Sequence, residues 1–242
     1  MRLAILSDIH GNLAALEAVL DDIEARGTDA IINLGDCATG PLWPRETIEL
    51  LSVIDMPTVR GNHDRLLSET PRDDMPRSMR FTYDSLSAEQ KVALAALPTR
   101  VDLEGGIVAV HGTPNDDSAY LLHDKVAGRL ALASRRSVAE RIGDVAARLL
   151  LCGHSHHAQV ASVGDCLVVN PGSVGCPRYA DDDDAFISEC GSPHARYAIA
   201  EERKGRWRVQ LFALDYDWSV VAQQALANGR ADFAAAFLGE KG

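Results

Sequence analysis

Short apolar runs that each stop at a polar, glycine-bearing cluster set the strongest constraint on this chain. Leu3 to Leu6 runs into Asp8-Ile9-His10, Ala30 to Leu34 into Gly35-Asp36, and Pro57 to Arg60 into Gly61-Asn62-His63-Asp64. Ile107 to Val110 runs into His111-Gly112, and Arg148 to Cys152 into Gly153-His154-Ser155-His156. Between the first of these runs lie stretches of helical period. Asn12 opens one with apolar positions at Leu13, Leu16, Val19, Leu20 and Ile23, and Gly27 ends it. Residues 44–54 form another, with Pro44 in its first turn. Strands alternating with helices predict parallel βαβ units, an α/β fold.

Further along, Ser87-Ala88-Glu89-Gln90 reads as a capping box opening a helix that Pro98 stops. Residues 99–103 and 107–110 flank Glu104-Gly105-Gly106, a hairpin signal. Residues 159–163, 167–169, 196–200 and 207–214 read as strands, with Lys204-Gly205 turning between the last two, and 218–238 as helix. Residues 114–147 are polar, then helical in pattern through Val126, Leu130 and Ala133 and again through Val138 and Ile142. They are expected to be a helical insertion or cap within a single domain spanning 1–242.

At 242 residues and 46% hydrophobic, the chain can bury a core without covalent staples. Its five cysteines are scattered and lack C-x-x-C spacing, so reduced thiols are expected. Cys152 and Cys166 sit in apolar runs; Cys37 and Cys176 neighbour the polar clusters and could border a pocket. No apolar run is long enough for a bilayer, and residues 1–8 lead straight into a motif. A cytoplasmic protein with no signal peptide and no membrane partner is therefore expected. The net charge of −11 and the absence of a basic face argue against a duplex nucleic-acid binder. Part of that acidity is the run Asp181 to Asp184, expected to be a solvated loop.

The clusters carry two His/carboxylate sets and one amide oxygen, the ligand inventory of two divalent cations sharing a bridge. In open α/β sheets the carboxyl ends of strands gather functional loops, so Asp8, Asp36, Asn62, His111 and His154 can share one rim. In an extended segment Asp8 and His10 face the same way, as do His154 and His156. A mixture of carboxylate, imidazole and amide suits Mn, Fe or Zn better than calcium. Paired cations would clamp a phosphoryl group and activate water, with Asp36 the best bridging carboxylate. His63 diverges from Asn62 and is free to donate to a phosphoryl oxygen or protonate a leaving group. Asp64 either orients His63 or caps the next helix. His123 and His194 lack motif context and are expected to be structural, and His157 to point away from its neighbour.

In this order the motifs resemble the calcineurin-like metallophosphoesterase superfamily. The run Asn170-Pro171-Gly172-Ser173-Val174-Gly175, then Pro177-Arg178, extends the likeness to the small bacterial branch that includes YfcE-like phosphodiesterases. The resemblance implies a four-layer αββα sandwich. It implies one cation on Asp8, His10, Asp36 and His156, a second on Asp36, Asn62, His111 and His154, and His63 as catalytic histidine. It favours two Mn2+ ions, with Fe, Zn or Ni possible, acting on a small phosphoester substrate. The second acid and the Arg-Gly that protein phosphatases of the superfamily carry after Gly-Asp are absent from Gly35-Asp36-Cys37-Ala38-Thr39-Gly40-Pro41.

The expected activity is hydrolysis of phosphodiesters, nucleotide-like or otherwise small. The alternatives are a phosphomonoesterase or phosphoprotein phosphatase, a dinucleoside polyphosphate hydrolase, or a metal-binding interaction module without turnover. The insertion, through Tyr120, Arg129, Arg135 and Arg136, is a candidate for choosing the leaving group, and Arg178 for contacting phosphate.

Overall fold

The computed structural model describes residues 1–180 and 186–238; the Asp181–Asp184 run lies outside them. Strand β1 (Arg2–Leu6), helix α1 (Leu13–Arg26) and strand β2 (Ala30–Asn33) make the expected first βαβ unit. Asn12 caps α1 by accepting from Ala15 N–H, and Gly27 ends it with φ of 67°. Helices α2 (Pro44–Ser52), α3 (Asn62–Glu69), α4 (Arg77–Ser85) and α5 (Ala88–Ala95) follow. The Ser87/Gln90 capping box of α5 is formed.

Next come β3 (Arg100–Leu103) and β4 (Ile107–Val110), then β5 (His123–Val126), β6 (Arg129–Leu132) and α6 (Arg135–Ile142). Strands β7 (Leu149–Leu151), β8 (Gln159–Val163), β9 (Cys166–Asn170), β10 (Arg178–Ala180), β11 (Ile187–Glu189), β12 (Ala195–Arg203) and β13 (Arg206–Leu214) lead to α7 (Trp218–Ala227) and α8 (Ala231–Leu238).

Two sheets organise these elements. The first has the order β13-β12-β1-β2, with β1 and β2 parallel; the second has the order β3-β4-β7-β9-β8, with β4, β7 and β9 parallel. Strand alternation decides what each face buries. Leu3, Ile5, Ala198 and Ala200 meet Ile107, Ala109, Leu149 and Leu151 between the sheets. Ala4, Leu6, Tyr197 and Ile199, on the opposite face, pack under Leu16, Val19 and Ile23 of α1. Val108, Val110, Leu150 and Val168 pack under Val138 and Ile142 of α6. Helix, sheet, sheet and helix are thus the four layers of the αββα sandwich. Each such Leu or Ile, fully buried, contributes about 1.5–3 kcal/mol.

Three local expectations are corrected. Residues 57–60 form no strand; Thr58 makes a single parallel bridge to Asn33. The insertion is not helical through Val126 and Leu130. Ala127 and Gly128, both at positive φ, turn β5 onto β6, and only Val138 and Ile142 lie on a helix. The helix expected over 218–238 is broken at Asn228, where α7 ends, and resumes as α8 on the far side of Gly229 at φ of 71°.

Candidate metal centre

The ends of β1, β2, β4 and β7 bring the polar clusters together between the sheets. The loops after β1 and β2 are zipped in register: Asp8, His10 and Gly11 N–H donate to the carbonyls of Gly35, Asp36 and Cys37. Asp8, His10, Asp36, His154 and His156 sit at φ between 52° and 64°. Left-handed conformations of residues with a Cβ are strained and persist only where surrounding structure enforces them. Here they turn the chain sharply at each strand end and aim the side chains at one point.

Three imidazoles are oriented alike. The Nδ1–H groups of His10, His111 and His156 donate to the carbonyls of Thr39, Leu34 and Cys176, each at 2.7 Å. A carbonyl can only accept, so Nδ1 carries the proton and Nε2 is left facing the centre. His154 is held the other way: Nε2 donates to Ser118 O at 3.0 Å, which leaves Nδ1 for the centre.

The carboxylates are fixed just as specifically. Asp8 Oδ2 accepts from His154 N–H at 3.1 Å and Asp36 Oδ1 from His63 N–H at 2.9 Å. The other oxygen of each points inward. Asp8 Oδ1 is buried and receives no well-directed hydrogen bond, with His156 Nε2 at 3.3 Å; Asp36 Oδ2 lies 3.4 Å from His111 Nε2 and 3.8 Å from His10 Nε2. Asn62 Oδ1 stands 3.0 Å from His111 Nε2.

What converges is therefore a set of lone pairs, a donor set that fits divalent cations. Asp8, His10 and Asp36 offer atoms within 4.8 Å of one another, and so do Asp36, His111 and His154. Asp36 belongs to both groups. A third group joins His10 and His156 to Cys176, whose sequence neighbours gave only a weak hint of it. In the absence of metal, burial opposes charge on His156 and His111. Asp8 and Asp36 overcome it and hold both imidazoles above their usual range, while those imidazoles hold the two carboxyls below theirs. Burial, with His156 alongside, pushes His10 down to about 4; burial, with His111 alongside, does the same to His154.

Among the described residues, the Asp64 side chain hydrogen-bonds to loop backbone and not to His63. Its carboxylate accepts from Asp36, Cys37 and Gly61 N–H at 2.8, 3.0 and 2.9 Å, closing the start of α3 against the β2 loop. The approach is so close that a Cβ on Gly61 would stand 2.1 Å from Asp36 Oδ1. The Asn170–Gly175 run braces the other side. Ser173 Oγ donates to Asp8 O, Gly175 N–H does likewise, and a Cβ on Gly175 would meet Ile9 O at 1.8 Å. Cys37 is buried against Asn33 and Asp64, Cys152 is core, and Cys166 is half-buried. His123 packs on His157, whose Nε2 pairs with Ser188 Oγ, and His194 packs on Trp218.

A cavity of about 700 Å³ opens over this centre, with His10, Asp36, Asn62, His154 and His156 in its lining. His63 stands on the wall, its ring edge-on to His10 at 5.5 Å and its buried Nδ1 without a hydrogen-bond partner. Arg178 lines the cavity, as does Tyr120 of the insertion. Arg129, Arg135 and Arg136 do not; they are exposed, and Arg136 pairs with Glu140. Arg77 and Met79 of α4, Lys125 of β5, and Arg230, Phe233 and Ala236 around α8 also line it. No motif marks them. For Arg230, Phe233 and Ala236 the one legible trace is the apolar spacing of residues 218–238, whose helices pack against Leu42.

The calcineurin-like phosphoesterase superfamily domain matches residues 1–192. An uncharacterized protein of Methanocaldococcus jannaschii, MJ0912, is 27% identical over 93% of this chain and 92% of its own. A metallophosphoesterase from Sphaerobacter thermophilus is 29% identical and superposes with a TM-score of 0.72 over 98% of both chains. The hypothetical protein PH1004 from Pyrococcus horikoshii OT3, 20% identical, shares the fold with a TM-score of 0.77 over 100% of this chain and 99% of that one. With strand-end motifs, layer order and a family match over most of its length in agreement, this chain belongs to the calcineurin-like phosphoesterase superfamily.

Proposed function

We propose that this protein hydrolyses phosphodiester bonds of small substrates with the help of two divalent cations. One set of ligands would be Asp8, His10, Asp36 and His156; the other Asp36, Asn62, His111 and His154. Two such cations supply Lewis-acid polarisation of a phosphoryl group and a lowered pKa for water. Mn2+ is the favoured occupant, and Fe, Zn or Ni also suit these donors.

The observation that carries the reading is the shared position of Asp36. It contributes to both ligand groups, beneath a cavity walled by His63 and basic side chains. The protein's own groups do the rest of the work. Backbone N–H donors and carbonyls lock six ligands before substrate arrives, so little reorganisation is needed. His63 reaches over the centre and would donate to a phosphoryl or leaving-group oxygen. Arg178 and Arg77 offset the negative charge of the substrate in a chain that is acidic overall. No side chain is required to form a covalent phosphoenzyme.

The test compares bis(4-nitrophenyl) phosphate with 4-nitrophenyl phosphate on Mn2+-loaded protein. Faster turnover of the diester supports the proposal. Faster turnover of the monoester assigns a phosphomonoesterase instead, and two bound cations with no turnover of either would indicate a binding module.

A further inference from the structure

The roof of the centre is built from two tyrosines, one over His154 and one over His156. Tyr120 stacks on His154 with centroids 4.7 Å apart and planes 22° from parallel. Tyr179 packs on His156 with centroids 4.5 Å apart. The two phenol oxygens are hydrogen-bonded to each other at 2.9 Å. The tyrosines come from distant pieces of chain, the insertion that follows β4 and strand β10. Phe186 sits beside both rings, at 6.2 and 6.1 Å.

His154 needs this support more than its neighbours do. His10, His111 and His156 are buried and anchored to Thr39, Leu34 and Cys176 inside the fold. His154 is only half-buried, and its anchor is the carbonyl of Ser118, two residues before Tyr120. The insertion thus holds His154 by edge and by face at once. The phenol bridge ties that hold to the ring covering His156, which belongs to the other ligand set.

We infer that Tyr120 and Tyr179 are paired positioning residues that keep the histidines of the two cation sets in register, so that order in one set supports the other. The inference rests on His154 and His156 being ligands. Outer groups that orient ligating histidines commonly contribute about 10- to 100-fold in metal affinity. A hydrogen-bonded pair acting as one unit is non-additive in a double-mutant cycle.

Calorimetric titration of Mn2+ into metal-free full-length protein, with electron paramagnetic resonance of the loaded form, tests it. Tyr120→Leu is expected to weaken, by about 10- to 100-fold, the same binding step that Asn62→Ala weakens. Tyr179→Leu is expected to weaken the step that His10→Ala weakens. Tyr120→Phe and Tyr179→Phe keep the stacking and should recover most of the affinity. Each should also reduce the spin-coupled signal of the paired ions, and the double phenylalanine variant should be no worse than either single. Wild-type binding in both leucine variants, or additive effects in the phenylalanine pair, overturns the inference alone. Failure of the wild-type chain to take up two ions removes the ligand reading, and the inference with it.

Discussion

The Nε2 atoms of His10 and His156 face each other at 3.1 Å, and the Nδ1–H of each ring donates to a backbone carbonyl. Two neutral imidazoles so held would oppose lone pair to lone pair. A cation between or beside them removes the conflict, and without metal that cation is a proton. The carboxylate of Asp8, 3.3 Å from His156, keeps the proton there against the penalty of burial. Asp36 does the same for His111. Without metal, Asp8 and Asp36 thus favour a proton on His156 and on His111, where the proposed ligand sets would use lone pairs.

Cation binding should consequently release protons. His156 and His111 titrate above their usual range without metal, so at neutral pH both protons must leave as the two sets fill. The sign follows: metal-free protein binds more protons than loaded protein, so affinity rises with pH. The expected slope is about tenfold per pH unit per cation below the raised pKa values. Calorimetry in buffers of different ionisation enthalpy measures the proton count, and a count near zero would exclude this assignment of charge.

His63 contributes its backbone N–H to Asp36 but keeps its ring on the cavity wall, outside the ligand groups. His63→Ala preserves the backbone donor. It should leave metal content unchanged while lowering kcat by about 10²- to 10⁴-fold, the usual contribution of a positioned acid. Metal analysis beside steady-state rates checks both halves. Loss of metal in parallel with rate would make His63 a ligand instead.

Asp64 gathers three backbone N–H groups from two loops, at Asp36 and Cys37 and at Gly61. Asp64→Ala leaves them buried without an acceptor, at roughly 1–3 kcal/mol each. Urea unfolding of the metal-free protein should show a loss of more than about 3 kcal/mol. Both cation sets should weaken together, because Asp36 loses the support of its own peptide group. A variant as stable as wild type would contradict the role given to Asp64.

Arg77 and Phe233 line the cavity from α4 and α8, and Phe233 lies beyond the segment matched by the superfamily domain. Replacing Phe233 by Ala should raise KM for bis(4-nitrophenyl) phosphate by about tenfold, equivalent to roughly 1.4 kcal/mol. It should leave methyl 4-nitrophenyl phosphate nearly unaffected. Equal effects on the two diesters would show that this wall does not read the second substituent.

Much of this architecture is legible in the residues themselves, because local signals and burial agree. The 3.6-residue spacing of Leu16, Val19 and Ile23 and the alternation of β1 both serve the same layers. The Ser87/Gln90 cap and the Gly105-Gly106 turn are written locally. Val126 and Leu130, four apart, mimic a helix face, and the Ala127-Gly128 turn between them is the competing signal that prevails.

At the centre, glycine-flanked Asp and His at strand ends mark the loops, but nothing local announces that Asp8 or Asp36 takes a left-handed backbone. That conformation is imposed by pairing between loops 8–11 and 35–37 and by the brace from Ser173 and Gly175. Arg77, Lys125 and Arg230 carry no motif, since only tertiary packing brings α4, β5 and α8 to one wall. Arg135 and Arg136 illustrate the reverse: a basic pair in the insertion that folding leaves in solvent.

The central claim is that Asp36 is shared. Anomalous diffraction from crystals of the Mn2+-loaded protein addresses it directly. The account predicts two peaks about 3.5–4 Å apart, both within coordination distance of the Asp36 carboxylate. A single peak, or two peaks of which only one touches Asp36, would contradict it.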